Sequence, residues 1–489
     1  MKILNSRLLT YLVLLILSFI TLMLCISYID VRYQISIILL VILFLLISGF
    51  FILKKDHILF DPMTMFSAYY YTVVLSGIYF VFTNFETSVV LSGTPISRRV
   101  IELFNYSLIC FIVGYLATLL GYSCFRRKKD IKINLENNYQ IPDSILNPVI
   151  AFFLLIGIIN FTYNILINAE GNLFLYMKNI SLRQYEYAED GTTVGYLFAY
   201  IAMYLWFFKG LRKQAIPFIF FVFLIISGLM KASQARILQT IVYLISFVVI
   251  YYYIDVTRNK CVKNAKYICG FILFGVLGIT IYFLRILSAL NVSNKLNGLS
   301  IDVLWVAFLS NIGYFAIDKG NIPNIPILMK IIDSWANDIG FLYGQSLLKP
   351  FLGILPTCAR PEILGYSLGA TIKETWFLNI PGGGLPPTGI GEMYANFGMV
   401  GPLIGMFMFG AFCAWLYNLL LKTRSYWILV CYSQILTGFI LIYAKGEIFN
   451  LSLWYILPIS FTIIALKFII YVSRSYMKNG AVQKYYEGP

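Results

Sequence analysis

Long apolar runs constrain this chain more than any other feature of its sequence. Runs of roughly 17 to 25 apolar residues recur from Leu8 to Tyr471, and each is long enough to cross a hydrocarbon core of about 30 Å as a helix. The runs are nearly continuous, whereas the strands of a transmembrane barrel alternate between apolar and polar residues. With 60% hydrophobic and 12% charged residues, the composition excludes an ordinary soluble enzyme. The sequence predicts an all-α polytopic membrane protein.

Windows of high hydropathy predict about twelve transmembrane helices. The first run exceeds the length of a signal-peptide core and leads directly into a second run, so we expect it to be retained. The expected spans are about 8–29, 35–53, 62–83, 101–124, 145–168, 193–208, 215–230, 237–254, 267–288, 400–421, 426–444 and 449–472.

Lys and Arg residues predict the orientation of these spans. They concentrate in alternate short connections, which the positive-inside rule assigns to the cytoplasm. Both termini are then cytoplasmic, and the longest connection, 289–399, is a large extracytoplasmic loop. Mixed apolar and charged positions over 301–317 and 327–339 predict amphipathic helices on the membrane surface. The chain therefore divides into an N-terminal membrane region of about nine spans (1–288), this loop (289–399), a C-terminal membrane region of about three spans (400–472) and a cytoplasmic tail (473–489).

The formal net charge of +15 does not indicate nucleic-acid binding, because the aromatic residues lie inside the apolar runs rather than beside clustered basic residues. Eight cysteines without a CxxC pattern and the single histidine, His57, predict no metal site and no disulfide framework. The two halves of the chain do not mirror each other, which disfavours a transporter built from inverted repeats. We expect no cofactor.

The most informative stretch is 381–401, which contains a glycine triplet and a Pro-Pro pair followed by a short helix. The helix is predicted to begin near Gly391, with Glu392 and Asn396 on one face and Tyr394 on another side. In the first turn, Glu392 has two interpretations: a carboxylate that caps the helix, or a catalytic base beside a glycine loop whose backbone approaches a substrate closely. Gly383 and Gly384 are the candidates for that approach.

Basic residues near the predicted outer boundary form a second group, Arg236, Arg285, Arg360 and Lys349. Arginine forks bind phosphate through charge-assisted hydrogen bonds, which suits an anionic head group. The alternative is ordinary placement: Arg285 is close enough to a span end to snorkel, and Arg236 and Arg360 are loop charges.

Several short motifs together resemble the oligosaccharide repeat-unit polymerases, also called O-antigen or Wzy-type polymerases. The resemblance rests on Gly391-Glu-Met-Tyr-Ala-Asn-Phe-Gly398 followed by Gly401, on Ala235-Arg236-Ile-Leu at the head of a span, and on three motifs of the predicted loop: Tyr343-Gly-Gln-Ser, Lys349-Pro350, and Leu355-Pro356 with Arg360-Pro361.

The resemblance implies a glycosyltransferase-type polymerase of surface polysaccharide in the bacterial plasma (inner) membrane. It would transfer a growing glycan from undecaprenyl pyrophosphate to a new lipid-linked repeat unit at the outer leaflet, working alongside a flippase and a chain-length regulator. On this hypothesis Glu392 is the base or the partner of the acceptor hydroxyl, Asn396 and Tyr394 support it, and the basic group binds pyrophosphate. A polysaccharide ligase and a flippase or transporter of lipid-linked oligosaccharide are the alternatives.

Overall fold

Helices form the regular structure throughout the described part of the chain. The computed structural model describes residues 33–54, 58–83, 98–127, 143–169, 234–257, 267–270, 323–352, 367–377, 385–423 and 426–448, with single positions at 201, 202, 205 and 272 and between 460 and 471. Within these residues there is no strand. The helices are α1 (Gln34–Leu53), α2 (Pro62–Phe82), α3 (Arg98–Phe125), α4 (Asp143–Ala169), α5 (Gln234–Thr257), α6 (Ile325–Asp338), α7 (Gln345–Leu352), α8 (Leu368–Trp376), α9 (Gly389–Phe397), α10 (Gly401–Thr423) and α11 (Tyr426–Ile435).

Six of the predicted spans coincide with these helices, and a seventh does so in part. Helices α1, α2, α3, α4, α5 and α10 match the expectations for 35–53, 62–83, 101–124, 145–168, 237–254 and 400–421. The span expected over 426–444 differs: α11 passes into a π-helical turn at Leu436–Ile440, and non-helical turns follow. The expected spans 8–29 and 215–230 lie outside the described residues, and 193–208, 267–288 and 449–472 lie largely outside them.

By length and apolar character, four described segments are able to cross a membrane: Gln34–Leu53, Pro62–Phe82, Arg99–Phe125 and Gly389–Lys422. Large apolar side chains on their outer surfaces are exposed, among them Leu75, Leu120 and Trp415. Such apolar surfaces are suited to contact with the lipid tails of a membrane.

The described helices belong to two compact units, and α3 and α10 form the centre of the larger one. This unit comprises α1 to α3, α6 to α10 and the turns after the π-helical segment. A Cβ on Gly121 would overlap the carbonyl oxygen of Phe407, and a Cβ on Gly410 would overlap that of Thr118. The two helix backbones are therefore in direct contact, as small residues permit between membrane helices.

Helix α9 folds back on α10 through a short 3₁₀ turn at Gly398–Val400. A Cβ on Gly401 would overlap the carbonyl oxygen of Met393. Residues eight apart in one straight helix are separated by about 12 Å, so this contact shows that α9 and α10 form a hairpin rather than one span. At the start of α9, Ile390 packs against Gly114 near the middle of α3. The hairpin therefore carries the N-terminus of α9 deep into the unit.

Helix α6 corrects the expectation of a helix resting on the membrane surface. It matches the predicted position, but its apolar side is covered by protein, since it packs against α3 and α9. Trp335 is fully buried and joins Ile327, Ile331 and Tyr394 in one apolar cluster. The local sequence pattern therefore predicted the position of this helix but not the helices against which it packs. The companion helix expected over 301–317 lies outside the described residues.

The two ends of this unit carry different polar contacts. At one end, Asp61 caps α2, pairs with Lys54 and accepts a hydrogen bond from Tyr122 Oη at 3.3 Å. At the other end, Arg99 of α3 binds Asp333 of α6 at 2.6 Å. Asp333, in the predicted external loop, thus lies at the end of α3 that is remote from Lys54.

Replacing Arg99 with alanine is expected to lower the free energy of unfolding by less than about 1 kcal/mol, because exposed ion pairs contribute little. The Arg99 side chain is 74% exposed. Thermal unfolding of the purified protein in detergent measures the effect. Lys54→Met is the matched comparison: it leaves the buried Asp61 carboxylate without its cation and must cost more. Equal losses in the two variants would contradict this reasoning.

The second unit contains α4, α5 and all but the last residue of α11 among its described helices. Tyr253 of α5 and Tyr432 of α11 pack edge to face, with ring centroids 5.6 Å apart. The Gln434 side chain donates a hydrogen bond to Ser246 Oγ at 2.8 Å. Buried polar contacts of this kind hold apolar helices together where lipid supplies no hydrophobic driving force between them.

Candidate active site

The candidate site begins at the N-terminus of α9. Residues 385–388 are non-helical, and the helix starts at Gly389, two residues before the predicted position. Thr388 is the N-cap: its Oγ1 accepts a hydrogen bond from the backbone N–H of Gly391 at 3.0 Å. The interpretation of Glu392 as the capping residue is therefore wrong, because a threonine hydroxyl already satisfies this turn.

Removing the cap by Thr388→Ala is expected to lower the free energy of unfolding by about 1 kcal/mol, the usual contribution of an N-cap side chain. Thr388→Asn is the matched variant, since asparagine is also a favourable N-cap residue. In thermal unfolding, the midpoint of Thr388→Ala should lie below that of the wild type, and the midpoint of Thr388→Asn should equal it. Equal thermal midpoints for Thr388→Ala and Thr388→Asn would show that the capping hydrogen bond does not stabilise the protein.

Glu392 is completely buried and accepts three hydrogen bonds from three different parts of the chain. Ser346 Oγ donates to Oε1 at 2.8 Å, Tyr443 Oη donates to Oε2 at 3.1 Å, and the backbone N–H of Ile448 donates to Oε2 at 2.7 Å. A buried carboxylate needs such partners to offset the loss of water. These bonds fix the carboxylate in position.

Asn396 lies on the same face of α9 as Glu392, as the four-residue spacing predicted. Its side-chain N–H groups donate to Ser346 Oγ at 2.7 Å and to the carbonyl oxygen of Glu392 at 2.8 Å. Its Oδ1 accepts from the backbone N–H of Gly344 at 3.0 Å. Ser346 consequently accepts from Asn396 and donates to Glu392. A directed hydrogen-bond chain therefore runs from the 342–344 turn to the carboxylate.

Tyr394 faces away from the carboxylate, as predicted, and packs on the apolar cluster of α6 and α8. Its neighbours there include Trp335 and Leu368. The structure thus places Tyr394 where it supports the position of α9, and the hydrogen bonds to Glu392 come from other residues.

Glu447 is the second buried carboxylate of this site, and it was not among the residues predicted from the sequence. Its Oε2 accepts a hydrogen bond from the backbone N–H of Leu368, the first residue of α8, at 2.7 Å. Burial raises the pKa of Glu447, while hydrogen bonds from Leu368 and Gly369 and the charge of Lys349 oppose the rise. The available signal was the Lys445-Gly446-Glu447 triplet between two apolar runs, because ionisable residues in such positions are usually functional.

Lys349 lies on α7, three residues after Ser346, and is buried close to both carboxylates. Burial lowers its pKa, and the negative charges of Glu447 and Glu392 oppose that change. From the sequence, Lys349 is a candidate for pyrophosphate binding, and in the structure it lies in the Glu392 cluster. A shared cation reduces the repulsion between two carboxylates enclosed in protein.

The third segment of the site follows the π-helical turn at Leu436–Ile440. The carbonyl oxygen of Tyr443 accepts from the N–H of Gly389 at 3.0 Å, and the Tyr443 ring packs on Phe409 with centroids 4.5 Å apart. Irregular backbone at membrane depth occurs where protein or a water-filled cavity surrounds it, and π-turns are frequent at functional sites. This interrupted helix brings Tyr443, Glu447 and Ile448 to the carboxylate of Glu392.

The arrangement suits recognition of hydroxyl groups. Two carboxylates and one ammonium give the cluster an excess of hydrogen-bond acceptors, and carboxylates are able to accept hydrogen bonds from sugar hydroxyls. Within the residues that the structure describes, no group of three or more His, Cys, Asp and Glu side chains is able to hold a metal ion.

Other residues of the sequence-based site are only partly described. The backbone of Arg236 is in the first turn of α5, as expected for the head of a span. Arg285, Arg360, Gly383 and Gly384 lie outside the described residues.

Comparison with known proteins adds one finding. A family model described as O-antigen polysaccharide polymerase Wzy matches residues 8–479, nearly the whole chain. No curated protein and no solved structure matches this chain.

Proposed function

Because the chain belongs to the O-antigen polysaccharide polymerase Wzy family, we propose that it transfers a growing glycan from undecaprenyl pyrophosphate to a new lipid-linked repeat unit. The reaction takes place at the outer leaflet of the bacterial plasma membrane, with both termini in the cytoplasm. The observation that carries this proposal is the buried Glu392, held inside the larger unit by donors from three segments of the chain. A flippase supplies the repeat units, and a chain-length regulator acts on the product.

In this reaction an acceptor hydroxyl attacks the anomeric carbon of the donor sugar. The new bond joins the acceptor oxygen to that carbon, and the bond from the carbon to the pyrophosphate oxygen breaks. Undecaprenyl pyrophosphate leaves with the electron pair, and Glu392 takes the proton of the acceptor. The hydroxyl displaces the longest of the three donors, Tyr443 at 3.1 Å.

The remaining residues of the proposal position the two lipid-linked substrates. Asn396 and Ser346 hold the Glu392 carboxylate, and Tyr394 anchors α9. The arginines Arg236, Arg285 and Arg360, together with Lys349, bind the pyrophosphate, and the backbone of Gly383 and Gly384 approaches the substrate. Positioning and electrostatic stabilisation carry most of the rate enhancement, because pyrophosphate is a good leaving group.

The lipid-linked pool of a strain that lacks the gene tests the proposal. A polymerase deletion removes the ladder of long surface glycans while single repeats on their lipid carrier still reach the outer leaflet. Complementation with the wild-type gene must restore the ladder. Long chains that accumulate on the carrier would instead identify a ligase, and repeats trapped at the cytoplasmic leaflet would identify a flippase.

A further inference from the structure

Tyr343 combines two properties that rarely occur in one aromatic residue. Its side chain is 79% exposed, and its backbone adopts a φ of +48°. A bulky side chain in the left-handed region is strained, and such strain persists only where the surroundings impose it. Among the described residues, Thr388 at the cap of α9 is the other non-glycine residue with a positive φ, so both residues of this kind flank the Glu392 site.

Hydrogen bonds to α9 impose the conformation of the 342–344 turn. The backbone N–H of Leu342 donates to the carbonyl oxygen of Ala395, and that of Tyr343 donates to the carbonyl oxygen of Asn396, both at 3.0 Å. Gly344 then binds the Asn396 side chain and packs against the ring of Phe397. The backbone of Tyr343 is thus rigidly held, while its ring is directed away from the packed core.

The same residues connect Tyr343 to the proposed reaction centre. Asn396, which accepts from Tyr343 through its carbonyl oxygen, donates through its side chain to Ser346. Ser346 in turn donates to Glu392 at 2.8 Å. A chain of short hydrogen bonds therefore fixes the backbone that carries an exposed aromatic ring relative to the carboxylate.

We propose that Tyr343 is a stacking platform for a sugar ring of the lipid-linked repeat unit, and this inference rests on the proposed polymerase function. One face of a pyranose presents C–H groups, which carry partial positive charge and pack on the negative face of an aromatic ring. A platform must be exposed when empty and must project from a rigid backbone, which accounts for both the exposure and the imposed backbone conformation. Tyr343 thereby positions the sugar whose hydroxyl or anomeric carbon reacts at Glu392.

Three variants separate this role from a structural role and from contact with the membrane. Tyr343→Asn removes the ring and relieves strain, because asparagine tolerates positive φ. Tyr343→Phe keeps the ring, and Tyr343→Leu keeps apolar bulk without a ring. Each is purified and assayed for its thermal midpoint, for KM and kcat with lipid-linked repeat unit, and for binding of the lipid-free repeat-unit oligosaccharide by calorimetric titration.

The expected result is a thermal midpoint of the asparagine variant equal to or above that of the wild type, with KM and the oligosaccharide Kd raised roughly threefold to tenfold, the range that aromatic pairs contribute. The phenylalanine variant behaves as the wild type, and the leucine variant resembles the asparagine variant in KM. Unchanged KM and Kd for Tyr343→Asn would overturn the inference. So would full recovery by leucine, which would identify membrane anchoring.

Failure of the proposed function gives a different pattern. A wild-type protein that forms no polymer refutes polymerisation, and the titrations alone then decide whether Tyr343 binds sugar. Equal oligosaccharide Kd values for the wild type and the asparagine variant refute the platform in that case as well.

Discussion

Glu392→Gln is expected to abolish the ladder of long glycans while the protein is produced and folded normally. Glutamine has nearly the same shape as glutamate, and its carbonyl oxygen still accepts from the backbone N–H of Ile448. It does not take up a proton from an acceptor hydroxyl, and loss of a general base typically slows a reaction by about 100-fold to 10,000-fold. Surface glycan separated by size and single-turnover assays in membranes measure the loss.

Glu374→Gln is the matched control for this substitution. Glu374 lies on α8 in the same predicted loop and is exposed, so the same change of charge at that position should leave the ladder intact. Glu392→Asp adds a second comparison: it keeps the carboxylate but shortens its reach to Ser346 and Tyr443, so activity should fall less than with glutamine. A normal ladder from a normally expressed Glu392→Gln variant would remove Glu392 from the mechanism.

Gly410→Val is expected to prevent accumulation of the folded protein. The new side chain would meet the backbone of Thr118 on α3, and a backbone cannot rotate away as a flexible side chain does. The two central helices of the larger unit must then separate. Overpacking usually costs about 1–3 kcal/mol, and contact with backbone belongs at or above the upper end of that range. Expression level and monodispersity in detergent report the effect.

Gly270→Val is the control for a glycine that has room. Among the described residues, the nearest atom to a Cβ at Gly270 is Val248 Cγ2, at an ordinary contact distance of 3.8 Å. Both variants introduce the same side chain in an apolar helix, so differences in helix propensity cancel. Similar losses for the two variants would show that the α3–α10 contact is less tight than the backbone geometry indicates.

Hydropathy and helical spacing are local properties of the sequence, so the features that depend on them were predictable. The positions of α1, α2, α3 and α10 follow from apolar runs that no aqueous fold accommodates. The common face of Glu392 and Asn396 follows from helical spacing alone. Family membership also follows from the sequence, since the motif around Glu392 and the match over 8–479 lead to the same family.

Contacts between residues far apart in the chain were not predictable in this way. Glu447 and Leu368 are 79 residues apart, and Tyr443 and Glu392 are 51 apart, so no local pattern indicates either hydrogen bond. The apolar side of α6 has the same appearance in the sequence whether lipid or α9 covers it. The π-helical turn at Leu436–Ile440 occurs inside an apolar run that predicts a continuous span.

The sequence by itself determined that this chain is a helical membrane protein of the O-antigen polymerase family and that Glu392 stands in the first turn of a helix after a loop. Only the tertiary structure decided where that carboxylate lies and which groups it bonds. The carboxylate does not cap the helix. It is buried and accepts hydrogen bonds from Ser346, Tyr443 and Ile448, because the α9–α10 hairpin and the interrupted helix bring these segments together. Hydrophobic periodicity specifies which residues leave water, whereas packing and hydrogen bonding between distant segments specify which polar groups meet inside.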